Sequence, residues 1–169
     1  MKRIYFAGKF NKIDDNNLSL EQKLKYDYRS ILLESPKYLT YYQKDLILNN
    51  RYIYSGPFYC EEASSGDFTS TDCNEVLNKE YEAIKKSDIV FIVFNDSFSV
   101  GSIVELSWAI NNKKEIILLY EEDDSIYNIK SEYWFAILDA QNRAHKIKIL
   151  QYNKNQDLNK LINQVLNDI

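Results

Sequence analysis

The sequence predicts a single doubly wound α/β domain with a mostly parallel sheet of about five strands and flanking helices. Two apolar runs, Asp88-Ile-Val-Phe-Ile-Val-Phe94 and Glu115 to Tyr120, are rich in Val, Ile, Leu and Phe. Runs of that kind read as strands buried on both faces. Segments with helical spacing of apolar residues alternate with them along the chain, the pattern of a parallel sheet covered on both sides. The 169 residues, 45% of them hydrophobic, are enough for one domain, residues 1–169, with a substantial core.

The elements follow in order. Lys2 to Ala7 reads as the first strand, closed by Gly8, and Asp14 to Asn17 as a polar loop. Leu18 to Leu33 reads as the first helix, with Leu20, Leu24, Tyr28, Ile31 and Leu32 on its apolar side and Pro36 ending it. Asp45 to Leu48 and Arg51 to Tyr54 flank Asn49-Asn50. Asparagine tolerates positive φ, so residues 45–54 read as a hairpin inserted near the second strand. A long polar loop then reaches about Thr69. Ser70 or Thr71 is placed to cap a helix running to Lys86, with Val76, Leu77, Tyr81 and Ile84 inward. The strand from Asp88 leads to a helix from Gly101. Glu115 to Tyr120 forms the next strand, Ser131 to Ala140 a helix and Lys146 to Gln151 a short late strand. Asp157 to Asn167 closes the chain as an amphipathic helix.

Composition narrows the function. A formal charge of -4 and a pI near 5.1 argue against a nucleic-acid polymer as partner, which wants a basic surface. No stretch approaches the roughly 20 apolar residues of a membrane span. The opening Met-Lys-Arg-Ile-Tyr-Phe-Ala-Gly runs straight into a strand, so a cytoplasmic protein is expected. The two cysteines, Cys60 and Cys73, read as ordinary thiols, and the lone His145 excludes a multi-histidine metal site. Chemistry here must run on carboxylates, hydroxyls and backbone donors.

Those groups gather at one corner. After the strand ending at Phe94 come a polar loop, Asn95-Asp-Ser-Phe-Ser-Val100, and a glycine-initiated helix, Gly101-Ser-Ile-Val-Glu105. Ligands of open α/β sheets bind outside the carboxyl ends of strands, and Glu105 stands in the first turn or so of the helix that begins there. On position alone it would complement the helix dipole, worth about 0.3–1 kcal/mol. A carboxylate at that place can also face a ligand as a nucleophile. Gly8 leaves room for a ligand at the end of the first strand. Tyr54-Ser-Gly56-Pro-Phe58 makes a rigid aromatic turn able to stack a base.

The order and spacing of four segments add a resemblance. Ile4-Tyr-Phe-Ala-Gly8, Glu80-Tyr-Glu-Ala-Ile-Lys-Lys-Ser-Asp88, Ser99-Val-Gly-Ser-Ile-Val-Glu105-Leu-Ser-Trp-Ala109 and Lys113-Lys-Glu-Ile-Ile-Leu-Leu119 together resemble the nucleoside 2-deoxyribosyltransferase family, whose relatives include deoxynucleoside 5'-monophosphate N-glycosidases. Tyr54 to Phe58 and Tyr133-Trp-Phe-Ala136 look like a subgroup of it. The resemblance implies a flavodoxin-like fold and cleavage of the N-glycosidic bond of a deoxyribonucleoside or its monophosphate. Sugar transfer to another free nucleobase is the family's commonest reaction; hydrolysis, or a pocket that binds nucleotides without turnover, is the alternative.

In that resemblance Glu105 is the nucleophile and Glu80, where the family more often has Asp, the supporting acid. Tyr5 contacts the nucleophile or sugar, while Gly8, Gly56 and Phe58 line the substrate. Ser99 stands where transferases often carry an Asp that holds the sugar 5'-hydroxyl. A Ser there suits a 5'-phosphate, with Ser97, Gly101 and Ser102 completing a cradle at the helix N-terminus. A plain polar turn capping the helix is the competing reading. Asp27-Tyr-Arg29 resembles an early-helix motif of the subgroup, in which Arg29 either reaches an anionic group or, as the commoner outcome, snorkels at the surface. No metal and no organic cofactor is implied. The expected partners are a small nucleoside or nucleotide and a free nucleobase, and family practice implies a homo-oligomer in which Trp134 and Phe135 make an apolar contact.

Overall fold

The computed structural model describes residues 1–9, 15, 17–40, 46–59, 70–95, 99–122 and 133–169, the side chains of 70–73 excepted. Six strands form one sheet: β1 (Lys2–Gly8), β2 (Ile47–Leu48), β3 (Tyr52–Gly56), β4 (Ile89–Phe94), β5 (Glu115–Glu121) and β6 (Lys146–Tyr152), in the order β2-β3-β1-β4-β5-β6. Every neighbouring pair is parallel except β2–β3. The sixth strand comes from the hairpin, which the reading of about five strands treated as an insertion. Asn49 and Asn50 take left-handed φ of 51° and 54°, and the Arg51 amide donates to the Leu48 carbonyl at 3.1 Å to close the turn, so three residues connect the paired Leu48 and Tyr52.

Seven helices are seen among the described residues: α1 (Leu20–Leu24), α2 (Tyr28–Leu32), α3 (Lys37–Thr40), α4 (Ser70–Lys86), α5 (Val100–Asn111), α6 (Trp134–Arg143) and α7 (Leu158–Asn167). Alternation along β1 divides the core. Ile4 and Phe6 pack with Leu24, Leu32 and Ile162 of α1, α2 and α7 on one face. Tyr5 and Ala7 pack with Ile84, Leu106 and Ile137 of α4, α5 and α6 on the other.

Several expectations need correction. The single helix over Leu18 to Leu33 is two short ones. Ser19 and Gln22 close a capping box on α1, and Asp27 caps α2 by accepting from the Arg29 amide. A capping Asp competes with a continuous helix for the same amides. Ile31 consequently lies exposed while Tyr28, Arg29 and Ser30 are buried. Pro36 does not merely stop a helix, since its carbonyl accepts from Leu39 across α3. Leu77, expected inside, is 47% exposed; it borders a shallow groove with Tyr81 and Trp108, and Ile84 does the burying. α6 starts at Trp134, and α5 starts at Val100 with Ser99 as its cap.

The chain leaves β1 for β3 on one side, then crosses back to β4 on the other. That reversal is the topological switch point, and the crevice over the carboxyl ends of β1 and β4 is where a ligand of such a sheet binds.

Candidate active site

Glu105 is the sixth residue of α5 and therefore in its second turn, deeper than the sequence suggested. Dipole effects fade beyond the first turn, so complementing the dipole explains it poorly. The side chain is 8% exposed, and its Oε1 accepts a 2.5 Å hydrogen bond from the Tyr5 hydroxyl. β1 supplies that hydroxyl because a register shift after Ile4 pairs Tyr5 with Gly56 instead of Ser55. A Cβ on Gly56 would come within 3.1 Å of the Tyr5 ring, and its φ is +143°. Glycine there lets the tyrosine lie flat against β3.

Burial pushes the Glu105 carboxyl up to about 8, with the negative charge of Glu80 adding to it; the Tyr5 hydrogen bond and the Arg29 cation pull the other way. Glu80, half-buried on α4, is also raised by burial and is lowered by Arg29. Tyr5 is held far above its usual range, first by burial and then by Glu105, and so stays a donor. Both carboxyls are thus biased toward their protonated forms, Glu105 by burial and by the charge of Glu80, with Tyr5 a fixed donor on Glu105, so the site can retain a proton near neutral pH.

Beneath this pair lies an element the sequence reading placed at the surface. Arg29 is fully buried. Its Nε and Nη2 each meet the Asp27 carboxylate at 2.8 Å. Nη1 donates to the carbonyls of Phe6 and Gly8, both at 3.2 Å, and Nη2 to that of Lys9 at 3.1 Å. All five guanidinium donors are thus used. The carbonyl between them, Ala7, takes the Tyr28 hydroxyl at 3.1 Å. The signal in sequence was Asp27 two residues before Arg29, a spacing that lets one carboxylate cap a helix and hold the arginine fork.

The remaining candidates fall as follows. Gly8 is closely covered: a Cβ would sit 3.3 Å from the Tyr28 ring and from the Val93 carbonyl. Phe58 is half-buried, edge-on to Tyr54 at 5.3 Å, on the wall of a cavity of about 620 Å³ between β3 and α4. Tyr5, Gly56 and Glu80 line the same cavity, which is large enough for a nucleoside-sized ligand.

At the N-terminus of α5, Ser99 caps the helix: its Oγ accepts from the Ser102 amide at 3.3 Å and hydroxyl at 2.9 Å, while its own amide donates to the Tyr133 hydroxyl at 2.9 Å. Ser102 is buried in this contact, and Gly101 is exposed with open space where a Cβ would go. Ser97 lies outside the described residues, as do Asp96 and Cys60. Tyr133, stacked on Phe94 at 4.1 Å, opens the Tyr133 to Ala136 segment of the resemblance, but its contact with Ser99 was not expected from the sequence. No group of three His, Cys, Asp or Glu that could hold a metal occurs among the described residues. No helix among them is long and apolar enough to cross a membrane.

No protein-family model matches the sequence, and no curated protein matches it significantly. A solved structure does match in fold: a CMP N-glycosidase, BcmB, from Clostridium botulinum. The alignment covers 98% of this chain and 99% of that one, with a TM-score of 0.56 and 18% identity. From end to end the chain therefore has the flavodoxin-like α/β fold of that N-glycosidase, which is the fold its motifs imply through their resemblance to the nucleoside 2-deoxyribosyltransferase family.

Proposed function

We propose that the protein cleaves the N-glycosidic bond of a nucleoside or nucleoside 5'-monophosphate by double displacement at Glu105. The observation that carries this is the buried Glu105 carboxyl held by Tyr5 at the switch point of the sheet. Its second oxygen is the attacking atom. In the first step the bond from the anomeric carbon to the base breaks as a bond to Glu105 forms, and Glu80 delivers its proton to the departing base. The positive charge that develops on the sugar stabilises the Glu105 carboxylate, which burial disfavours in the empty site. In the second step water attacks the same carbon and gives its proton to Glu80, and the sugar–Glu105 ester bond breaks. The base stacks in the cavity lined by Tyr54, Gly56 and Phe58.

Hydrolysis is favoured over transfer to a second base by two observations. The matching fold belongs to an N-glycosidase. Ser99 also leaves the α5 N-terminus without the carboxylate that would repel a 5'-phosphate. Chromatography of the protein with cytidine, deoxycytidine, deoxyadenosine and their 5'-monophosphates, each with and without a second free base, tests the proposal. Free base released without an acceptor supports hydrolysis, and a new nucleoside formed only with the acceptor supports transfer. Cleavage at the wild-type rate by Glu105→Gln would remove Glu105 from the mechanism, and no turnover of any of these compounds would favour a binding module.

A further inference from the structure

We propose that Arg29 is a positioning residue for this site, acting on Glu105 both through the end of β1 and through its buried charge. The inference deepens the reading of Glu105 as nucleophile and rests on it. Four consecutive carbonyls, Phe6 to Lys9, close β1, and α2 holds all of them through Arg29 and Tyr28. Their engagement fixes the strand that carries Tyr5, and Tyr5 fixes Glu105.

The guanidinium is itself immobile. Asp27 holds two of its nitrogens, and the rings of Tyr28 and Tyr59 lie 4.7 Å and 5.5 Å from its centre. Glu105 feels Tyr5 on β1, Glu80 on α4 and Arg29 on α2, and its own charge raises Tyr28 on α2 and Tyr54 and Tyr59 at and after β3. Arg29 is the cation among them. An opposite charge favours the ionised carboxylate, and a partner that neutralises the cation weakens the effect. Asp27 therefore tunes Glu105 from a distance, through Arg29.

Strand-clamping and charge separate by substitution. Arg29→Met removes both, Arg29→Lys keeps the charge and loses the fork, and Asp27→Asn leaves the cation uncompensated. The test is an NMR titration of the Glu105 side-chain carboxyl carbon, assigned with Glu105→Gln and read in each folded variant. It needs no substrate, so it can fail while Glu105 cleaves nucleosides, and can succeed where no turnover is found. The expected result is a midpoint that moves up in Arg29→Met, down in Asp27→Asn and little in Arg29→Lys. Opposite movements in the first two do not follow from loosened packing alone. A midpoint unchanged in Asp27→Asn overturns the inference, even if Arg29→Met does not fold.

Discussion

Glu105 carries the most consequences of any single residue. Its folded carboxyl sits at about 8, raised from an ordinary 4.5. The folded state therefore holds the proton more tightly than the unfolded chain. The stability this contributes is complete below about pH 4.5 and is lost as pH rises to about 8. Glutamine does not titrate, so Glu105→Gln should gain on the wild type across that window. At about 1.4 kcal/mol for each pH unit the gain is a few kcal/mol, measurable by denaturant unfolding at pH 5 and pH 8.5. The same substitution should lower the proposed cleavage by a factor on the order of a thousand or more, since it removes the proposed nucleophile.

For the wild type, the active form of the Glu80–Glu105 pair holds one proton, so kcat/KM should follow a bell and fall above about pH 8. A rate that keeps rising beyond pH 9 would contradict the assigned pair. Tyr5→Phe deletes the donor to Glu105 and leaves its Oε1 buried without that partner. It should cost about 1–3 kcal/mol of stability and about a hundredfold in rate, read by thermal melts and initial velocities.

Two glycines test how elements meet at the site. Gly56 is the point where β3 passes under Tyr5, with φ +143° and a 3.1 Å clash awaiting any Cβ. Gly56→Ala should destabilise the fold by about 2 kcal/mol and lower the rate, because the tyrosine must move. Gly101, at the exposed start of α5, meets nothing nearer than the Ser99 Oγ at 3.9 Å. Gly101→Ala should leave the fold equal or more stable by about 0.5–1 kcal/mol. A loss of activity in that stable variant would mark the close approach of a ligand to the helix N-terminus, the cradle that the resemblance implies. At this scale the sequence was legible where an element has one dominant signal. The strand over Ile89–Phe94 and the helix capped by Asp157 are examples. It was illegible over Leu18 to Leu33, where apolar spacing runs unbroken and the division comes from Asp27 preferring a cap.

Among the described residues of the whole molecule, half of the exposed large apolar side chains lie on α5 and α6: Val100, Val104, Trp134, Leu138 and Phe135, the last 71% exposed and edge-on to Trp134 at 5.5 Å. Exposed apolar surface, where it is contiguous, commonly marks an association site. The expected homo-oligomer is tested by light scattering: the wild type should associate, and Phe135→Lys should shift it toward monomer without changing its melting temperature by more than a few degrees. A wild type that stays monomeric would overturn that expectation.

The doubly wound sheet, its strands in chain order and the corner that presents Glu105 were determined by the sequence alone, whereas the division into α1 and α2 and the presence of α3 were not. Burial pattern and turn chemistry are local properties, and each is written in a few neighbouring residues. Tertiary structure decided which of the contacts implied for Tyr5 is made, a hydrogen bond to Glu105 a hundred residues away, and it alone decided that Arg29 lies beneath them rather than in water. The reason is physical. A bond between distant side chains depends on strand order and on a one-residue register shift. A buried arginine becomes tolerable only once strand-end carbonyls and Asp27 converge on all its donors.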